Sequence, residues 1–193
     1  MLAELAPATP TFDKHRFESA LERVRAFTAR GPETGLQKAK VEFHKAGVLL
    51  LVVPEIRGAC VSGAARWIVG RPVIQLSLRH KTDDHLWFTL FHEAGHIILH
   101  GEDGSQFVDE DDGVARTARE AQADRFAEDM LIPPAAWSGF LASGDFRQGA
   151  VRTFAASQGI APGIVVGRLQ HEKRVAYSQV NHLKRAVTFI SEH

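Results

Sequence analysis

His92-Glu93-Ala94-Gly95-His96 sets two imidazoles four residues apart with a carboxylate beside the first. On a helix that spacing stacks both rings on one face, about one turn apart. There they can bind one zinc ion at ~2.0–2.1 Å each. Glu93 is then placed to take a proton from zinc-bound water rather than to hold the metal. Zinc lowers the pKa of such water from about 15.7 toward roughly 7, within reach of a carboxylate near neutrality. The chemistry expected is metal-assisted hydrolysis of a peptide bond.

A catalytic zinc needs a third protein ligand and an open fourth position. A pattern with a histidine ten residues after His92 fails, because that position is Glu102 and the glycine expected before it is Leu99. A pattern that draws a glutamate from a following helix points to Glu120, with Glu128 and the loop acids Asp109 to Asp112 as alternatives. Asp124, one turn beyond Glu120, can hydrogen-bond the outer nitrogen of a zinc histidine and fix its tautomer. His100 continues the i, i+4 series, but a straight helix carries it off the metal face by about 40° over two steps. It is expected behind the ligands or at the helix end. Cys60, the only cysteine, is expected to be a buried structural thiol rather than a zinc-blocking one.

These residues need a helix to carry them. Thr82 can cap one, with Asp83 and Asp84 in its first turn, running to about His100 and stopping at Gly101. Gly95 is costly inside a helix, by about 1 kcal/mol against Ala; close approach of another backbone, such as a sheet, would explain it. Residues 101–115 form an acidic loop, and Arg116 to Leu131 reads as the next helix, ended by Pro133-Pro134. Upstream, apolar spacing predicts helices over Phe12–Arg30 and Thr34–Ala46. Strands are expected at Val48–Val53, Ser62–Val69 and Val73–Leu78. Short helices are expected at Ala135–Ser143, Gln148–Ser157, Pro162–Glu172 and Val180–Ile190. The class is α+β, with a small mixed sheet, an active-site helix and a helical C-terminal part.

The 193 residues suit one compact domain over 12–193, with a helical subregion from about 134 and a flexible leader over 1–11. Apolar residues at 45% and charged residues at 24% permit a real core. The zero net charge removes any overall pull toward nucleic acid or membrane. Charge is nonetheless uneven, acidic over 101–130 and basic over 147–193. One cysteine permits no internal disulfide, the N-terminus lacks a signal-peptide pattern, and Val48–Pro54 is too short an apolar run to span a bilayer. A cytoplasmic protein is expected.

Phe91-His92-Glu93-Ala94-Gly95-His96-Ile97-Ile98-Leu99-His100, Glu120-Ala121-Gln122-Ala123-Asp124-Arg125-Phe126-Ala127 and Leu131-Ile132-Pro133 together resemble the ImmA/IrrE family of metallopeptidases. The resemblance runs from about Val48 to Lys184. It takes in Val61-Ser62-Gly63-Ala64-Ala65-Arg66-Trp67, Ile74-Gln75-Leu76-Ser77 and the stretch from Gly159 to Gln170. These are similar to the subgroup fused behind, or encoded beside, helix-turn-helix antitoxins and regulators. The resemblance implies a zincin-like fold, one zinc held by His92, His96 and Glu120, and Glu93 as catalyst. It also implies cleavage of a helix-turn-helix repressor or antitoxin in a stress-response, mobile-element or toxin–antitoxin system. The sequence given holds no N-terminal helix-turn-helix domain of normal length, so any such partner is expected to be a separate chain or to lie outside the sequence given.

Two rival readings come from other classes. One is a catalytically silent, zinc-bound module that binds a regulatory partner without cutting it. The other is a DNA-binding regulator, since Phe154 to Leu169 has helix-turn-helix spacing around Gly159 and the tail is basic. Its second helix offers only Arg168 before Gln170 and His171, which is poor in base-reading side chains, so direct DNA binding is not expected. For the peptidase, Val73 to Ser77 is expected to be an edge strand that pairs with extended substrate, with Val73 and Ile74 turned to the core. His171, Arg168 and Tyr177 are the side chains considered for steadying the oxyanion or substrate.

Overall fold

The computed structural model describes residues 10–53, 62–77, 82–101 and 113–188. Cys60, the loop acids Asp109 to Asp112 and residues 1–9 of the expected leader lie outside the described residues. In α1 (Lys14–Phe27), Phe17, Ala20, Leu21 and Val24 fall on one buried face, and Asp13 caps the helix by accepting the Arg16 N–H at 3.0 Å. A 3-10 turn (Thr28–Arg30) leads to α2 (Pro32–Lys45), whose first residue is the proline that a helix start tolerates.

Three strands follow: β1 (Leu49–Val53), β2 (Gly63–Ile68) and β3 (Arg71–Ser77). Their order is β1-β3-β2, with β1 parallel and β2 antiparallel to β3. The segment Val73 to Ser77 is therefore the central strand, not the expected edge. Val69 and Gly70, at φ 49° and 72°, form the left-handed tip that folds β2 back along one side of β3. The apolar run of β1 takes the other side. Burial on both faces fits a central strand: Ile74 and Leu76 enter the core, while Val73 turns to the opposite face and is still only 7% exposed. Among the described residues β1 and β2 are the two edge strands, and β2 is the one that lies along α3.

The helix that carries the two histidines, α3 (Asp83–His100), packs between the sheet and the later helices. Trp87, Leu90, Phe91 and Ala94 are fully buried on it. Thr82 stands at the N-cap but makes no side-chain cap bond. A distant strap does that work: Asp83 N–H donates to Arg185 O, Arg185 N–H donates to Asp83 Oδ1, both at 2.9 Å, and Thr82 bridges Ala186. This corrects the expected helix over Val180–Ile190. Among the described residues of that stretch only a 3-10 turn forms, over Asn181–Leu183, after Val180 adopts φ 51°. Leu183 in that turn and Val187 in the extended course beyond it are buried.

Four more helices complete the fold: α4 (Gly113–Leu131), α5 (Pro134–Ser143), α6 (Gln148–Gln158) and α7 (Pro162–His171). On α4, Ala123 and Ala127 are fully buried, small residues that let it lie close on α3. Gly95 meets this helix. A Cβ there would stand 3.0 Å from Phe126 Cδ1 and 3.3 Å from Ala123 Cα, so the close approach is made by a helix and not by the sheet. α6 and α7 turn at Gly159 (φ 67°), but α7 buries Ile164, Val165, Val166, Leu169 and Gln170 and packs on α3. Among the described residues no helix is long and apolar enough to cross a membrane.

Candidate metal centre

α3 and α4 run antiparallel, and their facing side chains meet in pairs. His92 and His96 turn their Nε2 atoms toward each other, 3.1 Å apart. Glu120 answers both, with Oε2 at 3.2 Å from His92 Nε2 and Oε1 at 3.5 Å from His96 Nε2. One atom from each of the three lies within 4.8 Å of the others. Tetrahedral ligands at zinc distances sit roughly 3.3 Å apart, so the donor set has the right spacing to share one ion.

Protonation supports the same use. Asp124 Oδ1 stands 2.8 Å from His92 Nδ1. A carboxylate only accepts, so Nδ1 carries the proton and Nε2 is left with a lone pair facing His96. For His96, burial and then the neighbouring His92 push the pKa down, which favours the neutral ring that binds metals. Two ring nitrogens and a carboxylate that converge in this way are a cation-binding arrangement.

Glu93 faces the other way, toward the sheet. It is 6% exposed, and it accepts a hydrogen bond from the Ala65 N–H. Burial, together with the charge of Glu120, lifts its carboxyl to about 8. Gly63 makes this fit possible: a Cβ there would lie 2.7 Å from Glu93 Oε1 and 2.5 Å from Thr89 Cγ2. Ser62 O accepts from Ser77 N–H, so alternation turns the backbone groups of Gly63, Ala65 and Trp67 away from β3, on the outer edge of β2.

The remaining expected residues scatter. His100 lies behind His96, with ring centroids 5.6 Å apart and planes tilted by 50°, and is outside the three-residue cluster. Arg168 is spent on packing. Its Nη1 donates to Glu128 O and Ile132 O at 3.2 Å each, its Nε donates to Glu172 Oε1 at 3.1 Å, and its guanidinium lies 4.7 Å over Trp137. Those contacts close the C-terminal end of α4 and leave the guanidinium little capacity for an oxyanion. Glu128 pairs with Arg168 rather than joining the cluster. Tyr177 is exposed, and its carbonyl serves Gln170 and Asn181. His171 is exposed on the rim of a cavity one turn from the site. Sequence reasoning did not single out Gly63 and Ala65 as site residues. Their parts are an absent side chain and a backbone amide, which carry no chemical label.

Residues 53–145 match the model of a peptidase family, M78, described as the IrrE N-terminal-like domain. That span contains β2, β3, α3 and α4, and so every residue of the cluster. No curated protein matches the chain.

Proposed function

Because residues 53–145 match the IrrE-like peptidase family, we propose that the chain is a zinc-dependent endopeptidase. Its substrate in this proposal is a helix-turn-helix repressor or antitoxin. The observation that carries the catalytic part is the convergence of His92, His96 and Glu120 beside a buried Glu93. The substrate class rests on the resemblance of the Phe91–His100 and Glu120–Ala127 stretches to the regulator-associated subgroup.

Zinc bound by His92, His96 and Glu120 would supply Lewis acidity, polarising the scissile carbonyl and making water a stronger acid. The protein's own groups do the rest. Asp124 holds His92 in the tautomer and orientation that aim Nε2 at the centre. Glu93, buried and with raised proton affinity, takes a proton from the attacking water and returns it to the leaving amine. Gly63 and Trp67 turn the outer edge of β2 along α3, where an extended substrate adds a strand, while the Ala65 N–H is already committed to Glu93. The edge strand for substrate is thus β2.

Co-expression with the regulator encoded beside it, read by intact mass, tests the proposal. Two fragments whose masses sum to the regulator plus one water are expected with the wild type and none with Glu93→Gln. An intact regulator in both, with zinc present, would defeat it.

A further inference from the structure

The turn between α5 and α6 and the loop that follows α7 border a cavity of about 800 Å³. Pockets for whole small molecules run to about 300–1,000 Å³. None of His92, His96 and Glu120 lines it. Both walls are held by side-chain bonds. On the first, Asp145 accepts from the Arg147 N–H at 3.1 Å and from its guanidinium at 2.9 and 2.8 Å. On the second, Gln170 is 1% exposed and donates through Nε2 to Gln179 O at 3.1 Å and Asn181 Oδ1 at 2.8 Å. His182 Nε2 lies 2.8 Å from Gln148 Oε1 and ties one wall to the other. Val180, on the cavity wall, is kept at φ 51°, a conformation that β-branched residues rarely adopt. The cavity is thus framed by fixed backbone.

The lining says what kind of guest fits. Phe146, Val175 and Val180 are half-buried and pack onto the core, which gives the cavity an apolar floor. Arg174 supplies charge. Its Nε stands 3.9 Å from Glu172 Oε2, too far for a hydrogen bond. Glu172 Oε1 already accepts from Arg168 Nε at 3.1 Å and from Trp137 Nε1 at 2.8 Å. Among the described residues the Arg174 side chain makes no hydrogen bond, so its planar fork is available to a carboxylate. Arg147 is matched by Asp145, so one positive charge is unspent. A dianion such as phosphate would set its second charge against Asp145 and leave the apolar floor bare. We propose that this cavity binds a monocarboxylate that carries an apolar group. The carboxylate sits on Arg174, and the apolar group on Phe146, Val175 and Val180. Two sources share that chemistry: a free apolar acid and the C-terminal residue of a peptide. Arg174, Val175 and Val180 lie beyond the matched residues 53–145, and the site stands independently of the peptidase reading.

The test titrates the full, zinc-loaded, ¹⁵N-labelled chain with N-acetyl-leucine, N-acetyl-leucinamide and inorganic phosphate. N-acetyl-leucine should shift the backbone signals of Gln148, Val175 and Val180 to saturation. The amide should bind at least about ten-fold more weakly, because it lacks the charge-assisted bond. Phosphate should leave those signals in place. Arg174→Gln, a change at a half-exposed side chain, should weaken the acid by about ten-fold or more and leave the amide unchanged. Equal binding of acid and amide, phosphate bound as tightly as the acid, or full affinity in Arg174→Gln would overturn the site. So would shifts confined to the residues around His92 and His96, which would place the acid on the metal instead. A second arm compares 4-methylpentanoate with acetyl-glycyl-glycyl-leucine. Both should shift the same three signals, and the tighter of the two identifies the source as a free acid or a chain terminus. Binding of neither would overturn the proposal.

Discussion

Asp124 Oδ1 lies 2.8 Å from His92 Nδ1, so a residue on α4 sets the proton position of a ring on α3. That hydrogen bond decides which nitrogen of His92 faces Glu120 and His96. The consequence is a metal affinity that depends on a side chain outside the donor set.

Asp124→Ala should weaken zinc binding by roughly 10–100-fold, the usual loss when a ligand's supporting carboxylate goes. Competition against a chromogenic chelator measures it. Unchanged affinity would return Asp124 to an ordinary surface role.

Gly63→Ala should separate metal binding from turnover. The added methyl would crowd Glu93 Oε1 and Thr89 and must displace the carboxylate, while His92, His96 and Glu120 are untouched. Zinc stoichiometry should persist and kcat should fall by up to about 100-fold, as misplacements near 1 Å commonly cost. Full activity in a folded variant would mean that Glu93 tolerates displacement and is not positioned by this glycine.

Asp83 gives a pH dependence. Its carboxyl is raised from 3.8 to about 6, chiefly by burial. The folded state then binds this proton more tightly than the unfolded state does. Its contribution favours folding below pH 3.8 and is lost as pH rises through about 6. The full swing is roughly 3 kcal/mol. In Asp83→Asn, which keeps an acceptor for the Arg185 N–H, the stability difference from wild type should grow in the variant's favour between pH 4 and 6 (approximate bounds of that window). Urea titrations across that range would show a constant difference if Asp83 is not the group responsible.

Arg168→Met should cost stability rather than chemistry. It removes donors from Glu128 O and Ile132 O and the ionic partner of Glu172. Charged hydrogen bonds of this kind contribute about 1.5–3 kcal/mol each, so thermal unfolding should shift down clearly, with kcat nearly unchanged. A drop of about 10²–10³ in kcat at unaltered stability would instead mark an oxyanion donor.

How much of this was legible in the sequence follows from how local each feature is. His92 and His96 declare themselves because a helical repeat of one residue type places like groups together. Glu120 and Asp124 were legible as a second such repeat, on a helix whose packing partner had then to be α3. Strand order was not legible. The β1 run reads as a buried strand wherever it pairs, and only the tertiary structure says that β3 receives it on one side and β2 on the other. The strap over 184–188 was misread as helix because Leu183 and Val187 have helical spacing, yet their burial is satisfied by docking against other elements. Gly95 shows the reverse: its need for space was visible, and the identity of the neighbour, Ala123 and Phe126, was not.

The fastening of α3 by Arg185 also imposes an order in time. The bond joins positions 102 residues apart. At about 5–20 residues per second, synthesis takes roughly 5–20 s to cross that interval. His92, His96 and Glu120 emerge close together, early in it. The metal centre is assembled from neighbours along the chain, whereas the anchor of its supporting helix must wait for nearly all the later helices to be made.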